Sequence, residues 1–86
     1  MTLCLREHDL DWRELDDEIV ALDGCQGEYL SVRGAGAVIW RLLAGTAERE
    51  RLVDALVDRY GIDAQRAGFD VDAFLSSLNE RGLLAS

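Results

Sequence analysis

The chain has 86 residues, 49% of them hydrophobic and 30% charged, which bounds it as one small globular domain and excludes disorder. Nine basic against seventeen acidic residues give a net charge of −8 and a pI near 4.4, a balance that repels phosphate backbones and anionic headgroups. No apolar run reaches membrane-spanning length, Met1-Thr2-Leu3 opens into folded-looking sequence, and Cys4 and Cys25 form no CxxC pair. The expectation is therefore a cytoplasmic protein with reduced thiols and no signal peptide.

Leu3 and Leu5 alternate with polar neighbours and read as an extended, mobile N-terminal arm. A period of two through Leu10 and Trp12 predicts a first strand near Leu10–Leu15. Asp16-Asp17 marks a tight turn, since aspartate tolerates the left-handed region and bonds its own backbone. Glu18–Asp23 contains Ile19-Val20-Ala21-Leu22, apolar on both sides, which predicts a central strand covered on both faces. Gly24-Cys25-Gln26-Gly27 is a second turn. The stretch Glu28-Tyr29-Leu30-Ser31-Val32 then reads as a last strand, Leu30 and Val32 on one face, Tyr29 and Ser31 on the other.

The period changes at Gly34. Val38, Ile39, Leu42 and Leu43 form a helical stripe with Trp40 beside it, and Gly45 stops it. Thr46 is an expected N-cap for a second helix, with Glu48 in its first turn and Arg59 in its last. Leu52, Val53, Leu56, Val57 and Tyr60 form its predicted buried face; Gly61 ends it and Ile62 folds back on the last turn. Asp63 caps a third helix to about Arg81, with Val71, Phe74, Leu75 and Leu78 at i, i+3, i+4 and i+7. Gly82 closes that helix, and Leu83-Leu84 pack back toward Leu78. The sum is an α+β fold, β-β-β-α-α-α, a three-stranded antiparallel sheet before three helices. That is the content of a winged helix-turn-helix domain with its wing at the front.

A last strand with nothing beyond it is an edge, and its unpaired backbone groups can accept an added strand. The bland reading is an ordinary edge blunted by Glu28 and Arg33. The third-helix stripe is core on one flank in either reading, with Phe74 and Leu78 structural and Val71 and Leu75 at the groove margin. Asp70 and Asp72 read as solvated surface, with a minority role in meeting a basic peptide residue.

Other chemistries find little support. DNA readout needs basic side chains on the recognition helix, yet the third helix carries Asp70, Asp72 and Glu80 beside Arg66 and Arg81, and the chain has no lysine. Cys4-x-x-x-His8-Asp9 is not a complete ligand set at a known spacing, so no metal is expected. Cys25 has no histidine near it in sequence, and a Cys–His pair would need a meeting across the fold. Asp16-Asp17-Glu18 is explained by a turn, and Gly34-Ala35-Gly36 is too short for a phosphate loop. The reading is of no enzyme and no cofactor.

The ordered set Asp17-Glu18-Ile19-Val20-Ala21-Leu22-Asp23, Gly27-Glu28-Tyr29-Leu30-Ser31-Val32 and Gly36-Ala37-Val38-Ile39-Trp40 resembles the PqqD-like family. Thr46, Tyr60-Gly61-Ile62-Asp63 and Phe74-Leu75…Leu78…Arg81-Gly82-Leu83 extend the resemblance from about Leu10 to the C-terminus, as one domain over residues 1–86. The family comprises recognition domains for the leader segments of ribosomally made, modified peptides. The resemblance implies that a leader pairs with Glu28–Val32 beside the helix bearing Val71, Asp72, Phe74, Leu75 and Leu78. For a free-standing chain of this size it implies a lasso-peptide pathway, a leader with Tyr and Pro anchors, and a separate leader-cleaving cysteine protease as partner. The alternatives are a radical-SAM enzyme as partner, as in coenzyme PQQ synthesis, or a domain that self-associates through its edge with no peptide ligand. One departure stands out: the family usually has Leu-Asn where this chain has Val32-Arg33. Arg33 cannot accept a capping bond, so Ser31 or a backbone group must start the first helix.

Overall fold

Two reversals of the chain build the sheet. In the computed structural model, which describes residues 2–85 and leaves Met1 of the opening stretch outside, Asp16 takes a φ of 55° and Gly27 one of 69°. Both lie in the left-handed region that aspartate and glycine tolerate best. In chain order the elements are β1 (Thr2–Leu3), β2 (Leu10–Leu15), β3 (Glu18–Asp23), β4 (Glu28–Arg33), α1 (Ala35–Ala44), β5 (Ala47–Glu48), α2 (Arg49–Tyr60) and α3 (Ala64–Glu80). Strands β2, β3 and β4 form an antiparallel meander in that order, as the sequence predicts, with Ala21 opposite both Trp12 and Leu30.

The helices cover one face of this sheet. Ile19, Ala21 and Val32 point into a core with Trp40, Ile39, Leu43, Leu52, Leu56, Val71, Leu78 and Leu83, all buried. Trp40 is at its centre rather than beside it, fully buried and edge-to-face with Trp12 at a ring separation of 6.1 Å and an angle of 78°. The opposite sheet face differs from expectation. Val20 and Leu22 are half-exposed, and no described element is stacked over them; their cross-strand neighbours Arg13, Ser31, Asp11 and Tyr29 give partial shelter instead. An antiparallel sheet tolerates one wet face, and here the apolar run on β3 reflects that shelter rather than a second layer.

The first helix begins without a side-chain cap. Gly34, at φ 61°, accepts the N–H groups of Ala37 and Val38 on its carbonyl at 3.1 and 3.3 Å. Ser31 does not cap it, because its hydroxyl donates to the Glu18 carboxylate, and Arg33 reaches the same carboxylate at 3.2 Å. The second helix starts after Thr46, which is not its cap: Glu48 holds that position and Glu50 is the acidic residue of the first turn. The physical reason is the N-terminal arm, which pairs Thr2–Leu3 with Ala47–Glu48 and holds those two residues extended. Tyr60 is 44% exposed, outside the buried face of α2. Gly61 caps α2 in the left-handed conformation with its N–H on Val57, and Asp63 caps α3 by accepting the Arg66 N–H at 2.8 Å, as predicted.

The arm is held along its length. Leu5 is buried and bridges Leu84, and the Leu5 and Arg6 amides donate to the Leu43 and Leu83 carbonyls. The Arg6 guanidinium then donates to the carbonyls of His8, Asp9 and Gly82 and to the buried Asp23 carboxylate at 2.6 Å. The Cys25 and Gln26 amides also donate to Asp23. Arg6, chiefly through its hydrogen bond, holds the Asp23 carboxyl below the usual carboxylate range against the opposing effect of burial.

Candidate functional site

Strand β4 pairs with β3 on one side only, and no described residue pairs with its other side. Alternate residues of an antiparallel edge turn their N–H and C=O groups outward, so β4 offers a short ladder to an incoming chain. Beside this edge runs α3, and between the two lies an open groove of about 330 Å³ lined by Leu30, Ser31, Val32, Arg33, Gly36, Phe74, Ser77, Leu78 and Arg81. That volume is at the lower end for a small-molecule pocket and suits side chains projecting from an extended peptide.

The elements position these groups by simple geometry. The inward set of β4, Leu30 and Val32, meets Phe74 and Leu78 one helical turn apart on α3. Gly36 allows the close approach: a Cβ there would lie 2.8 Å from Val32 Cγ1 and 2.9 Å from Phe74 Cε1. Val32 and Leu78 are buried and form the root of the two walls, whereas Leu30 and Phe74 are only partly buried and present surface to the groove. Arg33 and Arg81 border it, but the Arg33 charge is paired with Glu18, which leaves Arg81 as the basic lip in an otherwise acidic molecule. The Glu18 carboxyl is held below its ordinary range, first by the Ser31 hydroxyl and then by Arg33, which fixes both β4 residues toward β3.

The structure gathers Leu30, Ser31, Val32, Phe74 and Leu78 into this groove and distributes the other predicted site residues around it. Tyr29 is 76% exposed on the uncovered sheet face, where it lines a larger depression of about 610 Å³ with Asp11, Arg13, Leu15, Val20 and Leu22. Glu28 is exposed at the start of β4, and Val71 is fully buried in the core and does not line the groove. Asp72 and Leu75 lie on another flank of α3: Asp72 takes two bonds from the Arg49 guanidinium at 2.7 and 2.9 Å, and Leu75 faces Leu3 and Glu48. Arg49 thereby lowers the Asp72 pKa. Sequence reading missed Arg33, Gly36, Ser77 and Arg81 as groove residues. Ser77 and Arg81 follow Phe74 at i+3 and i+7, so continuing the Phe74 row one turn further would have found them.

Residues 18–84 match the family model described as coenzyme PQQ synthesis protein D (PqqD). None of the curated proteins compared with the chain matches it. Two solved structures share the fold throughout. TbiB1 in complex with the TbiA(beta) leader peptide is 30% identical over 93% of each chain, with a TM-score of 0.86. Lasso peptide synthetase B1 complexed with the leader peptide is 28% identical over 98% of each chain, with a TM-score of 0.81. No described helix of the present chain is long and apolar enough to cross a membrane.

Proposed function

Because the chain belongs to the PqqD family, we propose that it is a recognition element that binds the leader segment of a ribosomally made precursor peptide along β4. The observation that carries this reading is the free flank of β4 with the half-buried Leu30 and Phe74 beside it, in a fold shared with two leader-complexed proteins. The leader adds as a further strand. Its backbone bonds give affinity that tolerates sequence variation, and Leu30, Val32, Phe74 and Leu78 receive one or two apolar anchor side chains. A disordered leader loses chain entropy on docking, which keeps affinity moderate. The domain itself carries out no chemistry in this reading. It delivers the bound precursor to a separate leader-cleaving protease in the cytoplasm, as a lasso-peptide pathway requires.

The test is a fluorescence-anisotropy titration with a labelled leader peptide encoded beside this gene, followed by amide exchange. Saturation in the micromolar range or tighter, with new protection on β4 and none on β2, is the expected result. Concentration-dependent dimerisation without any leader response would favour edge-to-edge self-association. Leader binding without any gain in protease rate would leave recognition standing and remove delivery.

A further inference from the structure

We propose that His8, Asp9 and Cys25 form a zinc site that clasps the N-terminal arm to the turn feeding β4. These three side chains come from two turns far apart in sequence, and one ligand atom of each lies within 4.8 Å of the others. Ligands around a tetrahedral zinc stand about 3.5 Å apart, given bonds of ~2.0–2.3 Å. The Cys25 Sγ already lies 3.7 Å from Asp9 Oδ2. All three residues are exposed, so ordinary side-chain rotations close the remaining gap.

The backbone beneath them is fixed. Asp9 sits at a φ of 53°, with its carbonyl bonded by the Gly24 amide at 2.7 Å and by Arg6 at 3.1 Å. Arg6 holds the neighbouring His8 carbonyl at 2.9 Å, and the Cys25 amide is tied to Asp23 at 3.0 Å. Gly24 permits the two turns to touch, since a Cβ there would come within 3.2 Å of the Asp9 carbonyl oxygen. Ligands borne on anchored backbone lose little freedom on metal binding. The Arg6 charge beside the cluster is matched by Asp23, so it does not repel a cation.

The donor chemistry selects the metal. A thiolate, an imidazole and a carboxylate suit zinc, with the fourth position left to water or to a group from a partner. The thiolate and carboxylate balance the dication, and the net −8 of the chain favours its approach. The site is independent of the leader reading, since none of its residues lines the groove.

The experiment uses untagged, reduced protein. Cobalt(II) alone should give a thiolate-to-metal charge-transfer band in the near ultraviolet. Competition with a chromophoric chelator should give one zinc per chain. Cys25→Ser and His8→Ala should each weaken zinc by more than about tenfold, and Cys4→Ser should leave it unchanged. Zinc should also slow amide exchange in the turn at residues 24–27. Absence of the band in the unmodified protein, or an identical band in Cys25→Ser, overturns the proposal. So does zinc affinity in both ligand variants equal to that of the unmodified protein.

Discussion

Replacing Gly36 with alanine adds one methyl group where β4, α1 and α3 meet. The new carbon would stand 2.8 Å from Val32 Cγ1 and 2.9 Å from Phe74 Cε1, both closer than carbon atoms approach without displacement. Val32 is buried on a paired strand and cannot retreat without moving β4. Phe74 is half-buried and can swing, but the space it swings into is the groove. Overpacking of this kind costs about 1–3 kcal/mol. Against it stands the helix-propensity gain of alanine over glycine, at most about 1 kcal/mol and smaller near a helix start. The steric effect wins, with a net loss of roughly 0–3 kcal/mol. For a domain this size each kcal/mol lowers Tm by about 4–8 °C. Urea unfolding should show a lower midpoint with an unchanged slope, and leader affinity should fall by about tenfold, equal to ~1.4 kcal/mol. Phe74→Leu in the same background should recover part of the stability, because the shorter side chain vacates the contact. A Gly36→Ala protein that melts higher and binds leader unchanged would refute the steric reasoning and show slack at that junction.

Leu78→Ala, at a nearly fully buried position, should cost about 2–5 kcal/mol in urea unfolding. Phe74→Ala should reduce leader affinity proportionally more than stability, since its ring is only partly buried, and comparing anisotropy with thermal melts checks this. The Asp23 carboxyl is depressed in the folded state, so its contribution is present above the unfolded value of about 3.9 and is lost as pH falls through the lower folded value. Arg6→Gln should therefore flatten the acid limb of a stability profile recorded below about pH 4. Asp72→Asn should leave leader affinity unchanged at every ionic strength, because its carboxylate is turned to Arg49 and away from the groove.

Much of this architecture is legible in the residues, and the failures have identifiable causes. The bounds of β2 follow from alternation and those of β3 from a continuous apolar run, together with two turns whose chemistry is local, Asp16-Asp17 and Gly24–Gly27. Asp63 and Gly61 are found for the same reason: a cap is decided by its own residues. Thr46 misleads because its alternative partner, the stretch Thr2–Leu3, lies more than forty residues away and competes for Ala47–Glu48. The rotation of α3 is equally non-local. Val71, Phe74, Leu75 and Leu78 form one apolar band in sequence, but packing turns Phe74 toward β4 and Leu75 toward the arm. Only the neighbouring elements distinguish those two directions. Arg6 is invisible to periodicity altogether, since its partners span His8 to Gly82.

That arginine gives the molecule a non-covalent rivet. Four hydrogen bonds from its guanidinium meet oxygens from the chain's opening, its second hairpin and its close, so fraying at either extremity weakens the pairing of the buried Asp23 charge. Sheet and helices should consequently melt as one unit, and neither the meander nor the helical trio should survive when expressed alone.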